Sequence, residues 1–371
     1  MGPLWQQRFG VGQGAIGHTL FFVLAAVGFL MFFVGRWQEH WGSRKLITLG
    51  ALLCGLNTFL IAYADRLWLL YLWAFLNGAA SSFIYIPGLT TVQRWFPGKR
   101  GLVSGLVNLV FGLSAAVMAP IFGYLLKTIG YLAMNLFLGG AALFLGLVAA
   151  QFTEMPGRDF QPAGKKDSAG PPVTATGPAV SVREAFGSGS FWFLWLTWAL
   201  MGAAGIAMVF LAVPFGLSRG YGPASAVIIL TAFNLTNGFS RLIMGYLSDK
   251  IGRTAGMGLT FLAAGSAYLL LPYATGWGTA ALLAAVIGFA FGTLFSVSAP
   301  LAVDCFGLKH FGAIFGLVFT AYGFVAGLIG PSLSGYLLDS SGGNFSPIFT
   351  YLGFFCLISS FLIRRVRPFR P

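Results

Sequence analysis

The sequence predicts an all-α polytopic membrane protein. Two observations carry that reading. Hydrophobic residues make up 57% of the 371 positions and charged residues only 8%, against about 25% charged in a soluble domain. Apolar runs of about 20 residues also recur along the chain, each long enough to cross a hydrocarbon core of about 30 Å. The runs are continuous rather than alternating, which favours helices over a transmembrane β-barrel.

Taken in order, the spans are Ala15–Val34, Leu46–Tyr63, Leu67–Val92, Leu102–Leu126, Tyr131–Phe152, Phe191–Leu217, Ala224–Leu247, Met257–Tyr273, Ala280–Val303, Ala313–Leu338 and Pro347–Ile363. The net charge of +13 does not point to nucleic acid, because the cations sit in alternate loops. One set of loops holds Arg36, Arg44, Lys45, Arg94, Lys99, Arg100, Lys250, Arg253, Lys309 and the arginines after Ile363. The other holds only Arg8, Arg66, Lys127 and Arg219. The positive-inside rule then places the C terminus in the cytoplasm and the chain in the inner (cytoplasmic) membrane. Residues 153–190, rich in Pro, Gly, Ser, Ala and Thr, read as a disordered cytoplasmic linker. It separates an N-terminal bundle of five helices (1–152) from a C-terminal bundle of six (191–371).

The halves repeat. Gly35, Glu39 and Gly42 recur 210 positions later as Gly245, Asp249 and Gly252; Gly101 and Gly105 recur 211 positions later as Gly312 and Gly316. Internal repeats of this kind typify secondary transporters. The span Phe191–Leu217 has no mate in the first half, so one helix is expected to be missing ahead of the first span.

Arg241 is the one charge placed inside a span. Burying a guanidinium in hydrocarbon is costly, so it is expected to face a cavity. Asn234, Asn237 and Arg241 share one helix face by their spacing of three and four, and a planar fork of donors suits a carboxylate. A second polar stripe runs through Asn77, Ser81 and Tyr85, for which close packing of small polar residues is the competing reading. His18, in the first span, is of a residue type that titrates near neutral pH and so suits a proton relay; a structural histidine is the simpler reading. Cys54, Cys305 and Cys356 suggest neither a disulfide framework nor a metal site. No cofactor-binding, ATP-binding or catalytic motif is present, so an enzyme is not expected.

The loop G-R-W-Q-E-H-W-G-S-R-K, Gly35 to Lys45, and its repeat G-Y-L-S-D-K-I-G-R-T, Gly245 to Thr254, resemble the signature loop of the major facilitator superfamily. Together with R-W-F-P-G-K-R-G-L-V-S-G, Arg94 to Gly105, and N-G-F-S-R-L-I-M-G-Y-L-S-D-K-I-G-R, the chain resembles the branch of oxalate/formate antiporters and monocarboxylate transporters. The resemblance implies a two-bundle fold with 11 of the usual 12 helices. It also implies a secondary active carrier working by alternating access, expected as a monomer. Gly35, Glu39, Arg44, Gly245, Asp249 and Arg253 then form a conformational latch. Arg241 binds the substrate carboxylate, Tyr85 contacts substrate, and the repeat mates Phe111 and Tyr322 line the cavity. Oxalate-type members carry a second cation at the position of Tyr322. Its absence favours a monocarboxylate such as lactate, pyruvate or formate, moved with a proton or against a counter-anion. Oxalate/formate exchange is the alternative in the same class. A truncated, non-transporting protein or sensor is the alternative in another. Animal monocarboxylate transporters carry an acid where Asn237 stands, and a lysine on the helix missing here, so the resemblance does not carry their proton coupling across.

Overall fold

The computed structural model describes residues 2–11, 13–156 and 180–369; most of the linker lies outside them. Among the described residues the elements are helices and their connecting turns. In order they are α1 (Gly2–Phe9), α2 (Gln13–Tyr63), α3 (Leu67–Trp95), α4 (Arg100–Gln151), α5 (Val182–Gly187), α6 (Gly189–Ser218), α7 (Pro223–Ile251), α8 (Arg253–Leu270), α9 (Trp277–Phe306), α10 (Phe311–Thr320), α11 (Leu333–Ser340) and α12 (Ser346–Arg365).

Nine helical stretches among the described residues are long and apolar enough to cross a membrane. Two of the helices, α2 with 51 residues and α4 with 52, are far longer than one crossing needs, since 50 residues of straight helix reach about 75 Å. Each is broken once. Gly42 takes φ 76° and Gly130 takes φ 77°, a left-handed conformation that glycine adopts without a Cβ penalty. Each long helix therefore covers two of the spans read from the sequence; the qualifying stretch of α4 begins at Ile121, so the nine stretches contain ten of the eleven spans and the rest of α4 carries Leu102–Leu126.

The tenth span departs from its expected form. Between α10 and α11 the backbone widens into two π-helical stretches, Ala321–Ala326 and Leu328–Ser332. Pro331 is the local cause of the second stretch: it has no N–H to give the carbonyl four residues earlier. The Ser332 hydroxyl donates to that carbonyl, Gly327 O, at 3.2 Å instead. Tyr322 sits in the first widened stretch.

The helix ends follow ordinary capping chemistry. Ser181 and Glu184 form a reciprocal box at the start of α5, the Glu184 N–H donating to Ser181 Oγ and the Ser181 N–H to Glu184 Oε2. Ser188 accepts from the Phe191 N–H at the start of α6. Pro223 opens α7, where a missing N–H costs nothing.

The chain divides into two compact units. One comprises Met1–Trp95, Ser114–Lys166 and His310–Gly323; the other comprises Phe96–Leu113, Asp167–Lys309 and Phe324–Pro371. The cuts after Leu113, inside α4, and after Gly323 lie 210 positions apart, one short of the 211-position offset of the repeat there. Each unit thus holds a short segment from the opposite half of the sequence.

Glycine seams bind these borrowed segments. In the first unit, Cβ atoms added at Gly312, Gly316 and Gly323 would meet α2 at Gly35, Met31–Phe32 and Gly28. In the second, Cβ atoms at Gly101, Gly105 and Gly112 would meet α7 at Gly245 and Arg241. The two triplets are repeat mates, each offset by 211 positions. Small residues let helix backbones approach closely where lipid offers no hydrophobic driving force. The repeat seen in the sequence is therefore a repeated packing device.

Candidate functional site

Arg241 lies on α7 of the second unit and is 8% exposed. It does not reach out to solvent. Its Nε and Nη2 donate to Asn237 Oδ1 at 3.4 and 3.3 Å, one turn earlier on the same helix. Nη1 donates to the backbone carbonyl of Asn108 on α4 at 3.0 Å. The guanidinium carbon stands 4.7 Å from the ring centroid of Phe295 on α9, a cation–π arrangement. Phe295 is held edge-on by Trp198 of α6 and Phe291 of α9, with ring centroids at 4.9 and 5.3 Å. Three helices thus fix a planar cation between a ring and two neutral oxygens.

Gly112 completes the cradle. A Cβ there would stand 3.2 Å from the Arg241 guanidinium. Gly112→Ala therefore makes the guanidinium give by a few tenths of an ångström. An overpacking cost of about 1 kcal/mol is expected, to be read as a lower melting temperature of the purified variant.

The expected site residues fall into two groups. Arg241 and Asn237 are joined directly in the second unit. Asn234, one turn earlier, is exposed, and Phe111 on α4 is 41% exposed. In the first unit, Tyr85 on α3 is 6% exposed. Its ring meets Phe319 edge-on at 5.9 Å, and Phe319 meets Tyr322 at 6.2 Å. Asn77, two turns before Tyr85, is partly buried. His18 is exposed on α2, its ring 6.4 Å from that of Tyr71.

The signature loops make specific contacts. Asp249 accepts from the N–H groups of Gly101 and Leu102 at 3.1 and 3.2 Å, a carboxylate at the positive N-terminal end of α4. It also pairs with Arg253 at 2.9 Å. Arg253 donates to Asp304 at the end of α9, and Arg100 lies 3.7 Å from the same carboxylate. Burial lowers the Arg100 pKa below its ordinary value, and the Asp304 charge opposes that shift. In the first unit Glu39 pairs with His310 at 2.7 Å. Arg44 turns instead to the start of the linker, where Glu154 lies at 3.8 Å and the Thr153 carbonyl accepts at 3.3 Å.

Sequence reasoning did not single out Asn108, Gly112, Phe295, Asp304 or His310 as site residues. Asn108 acts through its backbone, and Phe295 is one phenylalanine in an apolar helix, so neither leaves a local signal. Asp304 carries one: it is an acid at the end of an apolar span.

The long apolar helices, the repeated loops and the repeated glycine seams define a helical membrane transporter rather than an enzyme. The model of the Major Facilitator Superfamily matches residues 1–233 and 204–371, and the chain belongs to that family. It is similar to the oxalate:formate antiporter of Oxalobacter formigenes, 26% identical over 339 residues covering 90% of this chain and 79% of that one. Monocarboxylate transporter 11 of Homo sapiens is 29% identical over 344 residues, covering 88% and 69%. Among solved structures, the fucose:proton symporter FucP of E. coli superposes with a TM-score of 0.71 at 16% identity, covering 99% of this chain and 93% of that one. That likeness speaks to the fold alone.

Proposed function

We propose that the chain is a secondary active carrier of small monocarboxylates, lactate, pyruvate or formate, with Arg241 as the anchor of the carboxylate. The observation that carries this reading is the setting of Arg241. It is a buried planar cation whose fork rests on Asn237 Oδ1 and a main-chain carbonyl. Both are neutral acceptors, and charge-assisted bonds to a carboxylate are roughly twice as strong as neutral ones. A carboxylate reaching the site displaces the Asn108 carbonyl at a net gain. Asn237 keeps the guanidinium oriented, and Phe295 stabilises its charge without competing as an anion. Tyr85, Tyr322, Asn77, Asn234 and Phe111 are assigned to the polar and aromatic lining.

In this reading Gly35, Glu39, Arg44, Gly245, Asp249 and Arg253 form the latch of an alternating-access cycle, on the cytoplasmic side with the C terminus. A proton gradient or a counter-anion drives the flux. The similarity to an oxalate:formate antiporter supports a second reading, exchange of oxalate for formate. One cation in the proposed site favours the monocarboxylate, because a dianion leaves one charge unmatched.

The test is uptake of labelled L-lactate into liposomes holding the purified chain, with and without an inward proton gradient, in parallel with labelled oxalate into formate-loaded liposomes. Lactate uptake stimulated by the gradient or by internal lactate supports the monocarboxylate reading. Uptake confined to oxalate replaces it with the second.

A further inference from the structure

The two loops read as latches are built on different chemistry. Aligning K-R-G at Lys99–Gly101 with K-H-F-G at Lys309–Gly312 sets Arg100 opposite His310, 210 positions apart. The same offset relates Asp249 to Glu39 and Asp304 to Arg94. In the second unit every cation of the cluster is an arginine: Arg253 on Asp249 and Asp304, and Arg100 on Asp304. Guanidinium groups stay charged at any physiological pH. In the first unit the acid Glu39 of α2 meets an imidazole, His310 Nδ1 to Glu39 Oε1 at 2.7 Å, with the His310 side chain 23% and the Glu39 side chain 26% exposed. The Arg94 guanidinium of α3 also feels the Glu39 charge, and Lys309 is the chain neighbour of His310.

We propose that the Glu39–His310 contact is a pH-sensitive latch, tightened by acid, whereas its counterpart in the second unit, built from Arg100, Asp249, Arg253 and Asp304, is pH-indifferent. It deepens the latch reading given above and rests on it. The sign follows from the two groups. With the imidazole protonated the contact is a charge-assisted hydrogen bond between opposite charges; with the ring neutral it is an ordinary one, roughly half as strong. His310 occupies the N-cap position of α10, with no side-chain cap bond, and the glycines of α10 seat against α2. Protonation therefore holds the borrowed segment 310–323 more firmly in the first unit. A carrier of weak acids that acidifies the compartment it fills then slows its own cycle.

The test is hydrogen–deuterium exchange of the full chain in nanodiscs, read on peptides covering residues 35–45 and 309–316. It is run at about pH 6 and about pH 8, either side of the imidazole range, and corrected for the intrinsic exchange rate. His310→Arg, a permanent cation, serves as reference, and Glu39→Gln removes the acid. The wild type is expected to show about two- to fivefold more protection at the lower pH, the span of a partly exposed ion pair. Both variants are expected to show none of that difference. Equal protection at both values in the wild type, or the same difference in His310→Arg, overturns the proposal. Should His310→Arg fail to fold, Glu39→Gln alone decides it in the same way. Exchange of labelled lactate, with the pH equal on both sides, then reads the effect on the cycle. An exchange rate that ignores a pH-dependent protection overturns the latch role. A wild type that moves no lactate but shows the protection difference keeps this proposal and removes only the substrate reading.

Discussion

Arg241→Lys is expected to lower anion uptake at low substrate concentration by about a hundredfold or more, although the charge is kept. Breaking a buried, hydrogen-bonded charge pair costs about 2–5 kcal/mol, and 1.4 kcal/mol is a factor of ten. Lysine has no planar fork, so it cannot hold Asn237 Oδ1 with two nitrogens while a third faces the Asn108 carbonyl. It also loses the flat contact with the Phe295 ring. Arg241→Gln, which removes the charge as well, is expected to abolish uptake. The readouts are initial uptake rates in liposomes and, separately, a binding constant on the detergent-solubilised protein, with matched elution profiles to show that each variant folds. Uptake by the lysine variant within about threefold of wild type, less than 1 kcal/mol, removes Arg241 from the anchoring role.

Gly105→Val is expected to destabilise the second unit strongly. A Cβ at Gly105 would run into the backbone carbonyl of Arg241 and approach the Gly245 Cα. Neither of those atoms can rotate away as a side chain would. Overpacking of a closed seam costs about 3 kcal/mol at the upper end of its usual range. The variant is expected to melt well below wild type in a fluorescence-detected thermal shift in detergent, and to accumulate poorly in membranes. Gly123→Val is the control, because a Cβ at Gly123 meets nothing within 4 Å. If the two variants melt alike, the seam is not a tight contact.

The difference between these two sites shows what could be read in the sequence. Span positions were legible because each crossing demands its own apolar run. The Gly42 bend was marked by a glycine between two such runs. The mates Gly101 and Gly105, with Gly312 and Gly316, announced themselves by a fixed offset, and the structure gives that offset a purpose in helix contact. The charge of Arg241 stood out against an apolar helix. Its surroundings did not, because Asn108 and Gly112 reach it only where α4 crosses α7, and a crossing point is set by three-dimensional packing. His310 was passed over for a similar reason: its partner Glu39 lies 271 positions away. The π-helical widening around Tyr322 was hidden as well, since Ala321–Ala326 holds no proline to mark it.

The borrowed segments set a schedule for synthesis. The first unit takes His310–Gly323 from late in the chain, 144 positions after Lys166, where its earlier part ends. At a translation rate of about 5–20 residues per second, that segment is made roughly 10–30 s after the rest of its unit. Until then the α2 glycines that will seat it stay without their partner. The N-terminal part must wait in the bilayer as an unfinished assembly, and the second unit cannot serve as an independent later domain. A ribosome pause or a stop codon between the two halves thus leaves both units incomplete, so quality control has one late checkpoint for the whole molecule rather than one for each half.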